Sequence, residues 1–413
     1  MVRPDDEGGG MYADVNVVLD MLQVDEACLQ QGRDRQAAVW RGEVPDRVPL
    51  LLGRSESRQV ADRVGPQYLR LCEHQLRGGY PVSEYHEYDH FTLREQFNDP
   101  RKMLIEALWD VIGWARTPSD AQLSLRPNYG VGIVASVFGC GTDMNENDMP
   151  WVSRRPPKEV LLDIDLDRLC EVGLFPRVIE FVQRAREALR DFPQVHVFMP
   201  DLQGPINTAF LLREQDIMLD MLENEPFFHS LMKIITEVFI RLTRRLKPEL
   251  GEPADTGYHG SLYMAGGGVR VVDDVSVMLS PVQYRECVLP YVRRCLAAFG
   301  GGWVHSCGNI SHQLDAYLET PEIRGVNFGE PEYYDFQALL PRFAAARTFC
   351  YGGPVRELDE SAEGYLRRVA DCLRGAKQSL IFMPRYRGQD MAEGQWPDPA
   401  ELSAMWAALC NEV

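Results

Sequence analysis

The alternation of short β-branched or aromatic runs with longer stretches of helical periodicity constrains this fold more than any other feature. From residue 195 onward the runs are Val195–Met199, Ser261–Met264, Gly302–His305, Gly325–Phe328, Arg347–Tyr351 and Ser379–Met383. Helical stretches separate the last four of them, near Ser311–Leu318, Phe336–Ala345 and Ser361–Arg374. Strand and helix repeating with short connections predict right-handed crossovers and a parallel sheet.

A parallel sheet of this kind either closes into a (β/α)₈ (TIM) barrel or stays open and doubly wound. An open sheet usually has a glycine-rich first turn that begins a helix and binds phosphate. The glycine run Gly266–Gly268 leads instead into the apolar stretch Val269–Val272. We therefore predict an α/β fold with a single barrel and keep the open sheet as the alternative.

Three parts are expected along the chain. Residues 1–12 are polar and acidic, so we predict that they are disordered. Residues 13–46 are predicted to form a helical extension, because apolar residues recur there at roughly 3.6-residue spacing. The barrel is expected over residues 47–413, with a first strand at Arg47–Gly53. The aromatic and histidine-rich segment Tyr85–His90 is interpreted as a pocket wall or lid.

Charge and apolar content exclude several classes of partner. The chain has 61 acidic and 43 basic residues, a formal net charge of −18, which repels nucleic acid and anionic lipid. No apolar run approaches the roughly 20 residues that span a bilayer, and the N-terminus has no apolar signal segment. The ten cysteines occur singly, so we expect free thiols in a cytoplasmic protein.

Reactive residues follow the predicted strands. In a barrel the catalytic groups lie at the C-terminal ends of strands and in the loops behind them. The segments at those ends are Met199–Pro205, His305–Cys307, Asn327–Glu330, Thr348–Gly353 and Met383–Arg387. We expect these segments to meet at one mouth of the barrel and to form the active site.

His305 and Cys307 are the leading candidates for metal ligands. Residues i and i+2 of a strand lie on the same face, and Zn²⁺ binds imidazole nitrogen and thiolate sulfur. A catalytic zinc needs about three protein ligands and an open position, for which Glu330 and Cys350 are the candidates. The competing interpretation is a buried thiol beside a hydrogen-bonded histidine, with Cys350 in the core and Glu330 solvated. Asn309, in the following loop, is a candidate substrate ligand.

Five polar residues at other strand ends are candidates for substrate contacts. Asp201 and Gln203 can orient an amine, a hydroxyl or a pyrrole N–H, although a turn or helix-cap role is an equal alternative. Arg385 and Arg387 can bind a carboxylate through two hydrogen bonds, and the alternative is that they lie at the surface. Asp201, Tyr386 and Arg385 are the expected catalytic residues.

Several motifs carry a family resemblance over the chain from about residue 35 to its C-terminus. They are Arg41–Pro49, Asp201–Ala209, Leu279–Tyr284 with Pro290-Tyr291, and Val304–Asn309. With these motifs the chain resembles the uroporphyrinogen decarboxylase superfamily, whose members are distorted (β/α)₈ barrels. Heme-pathway decarboxylases of that superfamily have an Arg-Gln-Ala-Gly-Arg stretch and a late Asn-Leu-Gly-His-Gly-Ile segment. This chain has Arg35–Val39 in place of the first, without the Gly-Arg, and the second is absent.

The resemblance is therefore closer to the zinc-dependent, corrinoid-linked methyltransferases. Those enzymes use a His-x-Cys pair and a distant cysteine on the final strand, and no cysteine occurs near Phe382–Pro384. The resemblance implies that Glu330 or Cys350 takes the third position, and that His305 and Cys307 hold zinc.

We expect a zinc-assisted methyltransferase that moves a methyl group between a corrinoid protein, supplied in trans, and a thiol or other small acceptor. Homodimers are common in the superfamily, so a homodimer is expected here. The alternatives are a metal-free decarboxylase of a small or tetrapyrrole-like carboxylic acid, and an inactive barrel that serves as a binding subunit.

Overall fold

Short strands separated by helices run through the described chain. The computed structural model describes residues 14–52, 91–144, 149–357, 359–385 and 397–413. Its strands are β1 (Leu123–Leu125), β2 (Thr142–Asp143), β3 (Trp151–Val152), β4 (Val195–Val197), β5 (Gly257–His259), β6 (Leu262–Met264), β7 (Val269–Val272), β8 (Gly302–Ser306), β9 (Ile323–Phe328), β10 (Phe349–Gly352) and β11 (Leu380–Phe382).

Polar caps start several of the helices, as at Asp25, Asp99 and Ser361, whose side chains accept backbone N–H groups of the first turn. The helices are α1 (Val15–Leu19), α2 (Glu26–Trp40), α3 (Leu93–Asn98), α4 (Pro100–Ala115), α5 (Ile133–Val137), α6 (Phe175–Ala188), α7 (Pro205–Arg213), α8 (Asp216–Glu223), α9 (Glu225–Leu250), α10 (Pro281–Gln283), α11 (Leu289–Ala297), α12 (Leu314–Leu318), α13 (Phe336–Ala346), α14 (Ala362–Asp371) and α15 (Pro399–Glu412). In the described ranges no helix has both the length and the apolar character to cross a membrane.

The main sheet has five parallel strands in the order β11–β10–β9–β8–β7, and β1 pairs with β4 in a second parallel sheet. Single backbone contacts extend this arrangement. Leu50 forms a parallel bridge with Phe382, and its carbonyl accepts the N–H of Asp120. At the other edge of the main sheet, formed by β7, the Gly204 N–H donates to the Val272 carbonyl. The described chain is therefore a mixed α/β fold organised around parallel strands, as the alternation predicted.

Apolar residues fill both faces of the strands. One cluster lies between the strands and the surrounding helices and contains most of the buried apolar side chains. A smaller one, the inner cluster, collects side chains from the opposite strand faces together with the end of α2. It comprises Val39, Trp40, Leu51, Ala121, Leu262, Met264, Trp303, Phe349, Tyr351 and Ile381. Trp303 therefore has its indole in the interior, on the same strand face as His305.

The predicted strand at Ser261–Met264 is wrong in its pairing. Strand β6 turns back on β5 as an antiparallel hairpin, in which Tyr258 is opposite Tyr263. The next parallel strand is β7, which lies just beyond the glycine run Gly266–Gly268. At Gly268 a Cβ would lie 1.9 Å from the Ala254 carbonyl oxygen, so the glycines allow this close passage of the backbone.

Candidate metal and substrate site

Strand β8 places His305 and Cys307 at its carboxyl end. His305 is the fourth residue of the strand, and Cys307 follows the last one. The Cys307 Sγ lies 3.4 Å from His305 Nε2. The backbone at Gly329 approaches closely here, since a Cβ at that position would lie 2.8 Å from the Cys307 Sγ. The sulfur therefore has a defined place beside the imidazole.

Asp274 joins this pair from the neighbouring strand. β7 and β8 run parallel with Val272 opposite His305, so the residues that follow β7 reach the end of β8. Asp274 Oδ1 accepts the backbone N–H of Cys307 at 2.7 Å and lies 3.9 Å from His305 Nε2. One ligand atom from each of the three side chains lies within 4.8 Å of the other two. We call this group the metal-ligand cluster.

Asn327 determines which nitrogen of His305 carries its proton. The Asn327 Nδ2 donates to the Tyr351 carbonyl at 2.5 Å, so Oδ1 is the atom that faces His305. His305 Nδ1 lies 2.6 Å from that Oδ1 and must donate to it. The lone pair of the neutral ring is then on Nε2, the atom that faces Cys307 and Asp274.

Burial and neighbouring charges set the protonation of the two β8 residues. Burial lowers the pKa of His305, and the opposing charge of Asp274 does not offset it, so the ring is neutral at neutral pH. Burial, together with the carboxylates of Asp274 and Glu330, raises the pKa of the Cys307 thiol to about 12. A bound cation would have the opposite effect on this thiol, because it stabilises the thiolate.

Asn207 orients Asp274 from the start of α7. Its Nδ2 lies 2.9 Å from Asp274 Oδ2 and 2.9 Å from Gln203 Oε1, and its Oδ1 accepts the Val275 N–H at 3.1 Å. Asn207 and Gln203 are both buried. The carboxylate of Asp274 is thus held through both oxygens, while the lone pairs that these bonds do not use can bind a metal.

A cavity of about 420 Å³ opens beside the metal-ligand cluster. Polar groups lie on one side of it, and apolar side chains line the other. The polar lining residues are Asp201, Gln203, Asn207, Arg270, Asp274 and His305, and the apolar ones are Val131, Trp151, Phe210, Leu211, Val272, Val275 and Met278. The size is within the range of small-molecule sites.

Asp201 is bound by arginines of this chain. It accepts hydrogen bonds from Arg270 and, at 2.9 Å, from Gln203 Nε2, and its Oδ2 lies 3.5 Å from Arg126 Nη1. Burial tends to raise the pKa of Asp201, but Arg270 and Arg126 outweigh it, so that this pKa is lowered. Asp201 is therefore a permanent carboxylate that is already paired, rather than a proton donor.

Glu330, Cys350 and Asn309 lie outside the metal-ligand cluster. Glu330 Oε2 accepts the backbone N–H of Gly308 and so fixes the loop after Cys307. Cys350 is buried in the apolar core. Asn309 is exposed and caps a turn by accepting the Ser311 N–H at 3.0 Å.

Arg385 is buried and donates to the Phe328 carbonyl at 3.4 Å. It does not line the cavity beside the metal-ligand cluster. Tyr386 and Arg387 lie outside the described residues, as does the segment Tyr85–His90.

The sequence interpretation missed Asp274, Arg270 and the role of Asn327. Asp274 comes just after an apolar run, and His305 lies at the end of another. This similar position was the available sequence indication that Asp274 belongs to the site. The run before Asp274 was not recognised as a strand because the glycine triplet precedes it directly. Asn327 was noted at a strand end, but its contact with His305 depends on the register of β8 and β9, in which the two residues are opposite each other.

Comparison with solved structures finds chains that share this fold. The chain is similar to a methyltransferase from Methanosarcina mazei, with a TM-score of 0.58 and 17% sequence identity, over 92% of this chain and 98% of the other. The two chains share a fold. No family model and no curated protein matches the sequence. At this identity the likeness concerns the architecture alone.

Proposed function

We propose that this chain is a zinc-dependent methyltransferase built on a (β/α)₈ barrel. The observation that carries the proposal is the convergence of His305 Nε2, Cys307 Sγ and the Asp274 carboxylate beside a cavity of small-molecule size. The resemblance of the sequence to the corrinoid-linked methyltransferases supports the chemistry, and the fold shared with a methyltransferase supports the architecture.

The closure of the barrel is inferred from backbone contacts at its two seams. The five-stranded sheet runs from β11 to β7, and β1 pairs with β4. At one edge the Asp120 N–H donates to the Leu50 carbonyl, and at the opposite edge the Gly204 N–H donates to the Val272 carbonyl. These two hydrogen bonds join the sheets. Together with the Leu50 bridge to Phe382, these contacts support a ring of eight parallel segments in chain order, which is the order of a (β/α)₈ barrel.

The donor set fits zinc. An imidazole nitrogen, a thiolate and a carboxylate are ligands that zinc accepts, and three protein ligands leave a position open for a substrate, as in catalytic zinc sites. A soft thiolate excludes magnesium and calcium as the natural occupants, because both prefer oxygen ligands. The fixed tautomer of His305 and the oriented carboxylate of Asp274 supply the outer contacts that zinc ligands usually have.

When bound here, zinc would act as a Lewis acid that lowers the pKa of a substrate thiol. The chain's own residues do the remaining work. Asn327 keeps His305 Nε2 unprotonated, Asn207 holds Asp274, and Arg270 presents its guanidinium group to the cavity.

In the proposed reaction a methyl group passes from its donor to the sulfur of a small thiol. The bond between the methyl carbon and the donor breaks and leaves its electron pair on the donor. A carbon–sulfur bond forms with an electron pair of the thiolate, and the thiol proton is released to solvent. The donor in this proposal is a methylated corrinoid carried by a separate protein, and the chain acts as a homodimer.

Zinc titration of paired variants tests the proposal. We expect the wild-type protein to bind one zinc ion per chain, and Cys307→Ser and Asp274→Asn to weaken binding by at least roughly tenfold each. The matched controls are Cys350→Ser and Glu330→Gln, which should retain wild-type affinity. Cobalt in place of zinc should give a thiolate absorption band that Cys307→Ser abolishes and Cys350→Ser preserves.

A direct assay follows the methyl group from methylcobalamin to a panel of small thiols. Methyl thioether formation that needs zinc and is lost in Cys307→Ser supports the proposal. Stoichiometric zinc bound equally well by Cys307→Ser, or no zinc binding at all, overturns it.

A metal-free decarboxylase is the alternative chemistry, since Asp201 and Arg270 line the same cavity. Carbon dioxide release from a carboxylic acid that is abolished in Asp201→Ala but retained in Cys307→Ser would favour it. An inactive barrel that serves as a binding subunit would bind neither zinc nor a corrinoid protein.

A further inference from the structure

Two arginines and one aspartate form a charged group, of which Arg270 and Asp201 line the polar side of the cavity. Arg126 follows β1, Arg270 is on β7, and Asp201 lies between their guanidinium groups. We call these three residues the arginine clamp. Because the lowered pKa of Asp201 keeps it ionised, the clamp carries two positive charges and one negative charge. It therefore has a single net positive charge beside the cavity.

Arg270 is held with its guanidinium group in place. It donates to Asp201, its Nη1 lies 3.4 Å from His259 Nε2, and its guanidinium carbon lies 5.8 Å from the centre of the Trp303 ring. Burial lowers the pKa of His259 well below its usual value, so this ring is neutral and accepts the bond. Arginine has five N–H donors, and the two hydrogen bonds leave others for a ligand.

The other charges near the cavity do not cancel the clamp. His259 is neutral, and the imidazole of His305 would carry no charge as a zinc ligand. With zinc bound, the carboxylate of Asp274 and the thiolate of Cys307 would balance the two charges of the metal. The cavity then retains the single positive charge of the arginine clamp.

The opposite side of the cavity is apolar and reaches the solvent. Leu211 and Val275 are buried, whereas Met278 and Trp151 line the cavity although their side chains are 55% and 58% exposed. Both side chains present apolar surface that a ligand in the cavity would contact. A ligand that contacts both sides must have an ionic end and an apolar body.

We propose that the small substrate of this site is an organic monoanion with an apolar body, whose anionic group binds Arg270, the arginine of the clamp that lines the cavity. This inference rests on the proposed function, because it names the substrate class of the same site. The single net charge disfavours a dianion, since the second negative charge would have no partner and would face Asp201. The apolar side disfavours a small hydrophilic anion such as acetate.

Binding of four probe molecules to the metal-free Asp274→Asn variant tests the charge and the body separately, because without zinc the Asp274 carboxylate would cancel the net charge of the arginine clamp. The probes are benzoate, its neutral analogue benzamide, the dianion phthalate, and acetate. Calorimetry or ligand-observed NMR gives their dissociation constants. We expect benzoate to bind at least roughly tenfold more tightly than each of the other three, since charge-assisted bonds to arginine are about twice as strong as neutral ones.

Variants of the clamp assign the effect to its residues. In the same background Arg270→Gln should remove the preference for benzoate over benzamide, and Arg126→Gln, which takes one positive charge from the clamp, should weaken that preference. Asp201→Asn should strengthen phthalate binding at least roughly tenfold, because the clamp then carries two net positive charges. The control is Arg293→Gln, which removes a surface arginine paired with Glu322 at 2.9 Å and should change nothing. Circular dichroism checks the fold of each variant.

Two results would overturn the substrate assignment. One is that benzoate fails to bind at millimolar concentration, and the other is that Asp201→Asn leaves the relative affinities of phthalate and benzoate unchanged. Neither depends on zinc or on methyl transfer. A protein that passes these tests and binds no zinc therefore refutes the proposed function alone, and one that binds zinc and fails them refutes the substrate class alone.

Discussion

The carboxamide of Asn327 controls the state of His305, and its removal tests the metal-ligand cluster most directly. Leucine at this position has a similar size but no acceptor for the His305 Nδ1 proton. Both tautomers of the ring then become accessible, and one of them carries its proton on Nε2, where the metal would bind. The ring also loses the bond at 2.6 Å that fixes its orientation. Zinc affinity should therefore fall, although no ligand has been changed.

The size of this loss follows from the contacts. Removal of an outer partner of a metal-bound histidine typically costs about 10- to 100-fold in affinity, or about 1.4 to 2.8 kcal/mol. The substitution also removes the bond from Asn327 Nδ2 to the Tyr351 carbonyl, which costs about 1 kcal/mol of folding stability. That second loss is present with and without metal, so it cancels from the binding free energy.

Competition with a chromophoric chelator measures the zinc affinity of Asn327→Leu, and thermal unfolding measures its stability. The matched control is Val326→Ala. Val326 is the preceding residue on the same strand, is fully buried and faces the other way. It should lose about 2 kcal/mol of stability while keeping wild-type zinc affinity. Equal zinc affinity in Asn327→Leu and wild type, or an equal loss in the control, would refute the reasoning.

Other predictions concern protons, backbone and buried charge. Because the pKa of the metal-free Cys307 thiol is raised to about 12, zinc binding must displace its proton at neutral pH. Zinc affinity should rise by about tenfold per pH unit between about pH 7 and 9, and Cys307→Ser should flatten that slope in titrations at several pH values. Gly204→Ala should destabilise the protein by about 3 kcal/mol in denaturant unfolding, because the new Cβ would lie 2.2 Å from a backbone carbonyl oxygen. The control Gly266→Ala should be tolerated, because its Cβ would lie 3.8 Å from the nearest atom. Lys247→Met should lower the free energy of unfolding by about 3 to 5 kcal/mol at pH 7, because it leaves Glu252 buried without the ammonium group that lies 2.8 Å away. The double variant Lys247→Met/Glu252→Gln should recover part of that loss.

Elements with strong local periodicity were predictable from the sequence. Phe336–Ala345 was expected as a helix, and the structure has α13 at Phe336–Ala346. The run Gly302–His305 was expected as a strand, and β8 is Gly302–Ser306. In both cases the apolar pattern and the adjacent polar or glycine residues indicate the same structure, so local and tertiary preferences agree.

The hairpin of β5 and β6 was beyond such reasoning. Leu262–Met264 is as apolar as a parallel strand, because Leu262 and Met264 belong to the inner cluster. Burial alone does not distinguish a strand of the parallel sheet from an apolar hairpin that packs against it. The direction of pairing depends on the turn between Tyr258 and Tyr263, which brings the chain back on itself.

The candidate site likewise has one part that the local sequence predicts and one part that depends on tertiary structure. His305 and Cys307 are two residues apart on one strand, so their proximity follows from the pleat of a strand. Asp274 is 31 positions before His305 in the chain, and it reaches the site through the pairing of β7 with β8. The sequence therefore located two of the three residues of the metal-ligand cluster, and tertiary structure contributed the third.

The inner cluster has a consequence for the order of events in the proposed reaction. Trp303 lies below His305 on the same strand face, and its Nε1 contacts Met264 Sδ at 3.3 Å. The interior beneath the imidazole is packed, so reactants approach from the end where the cavity opens. A methyl donor and a methyl acceptor then share one entrance. If the donor is a bulky protein-borne cofactor, the small substrate must already be inside when the donor arrives, and excess donor should slow the entry of the acceptor.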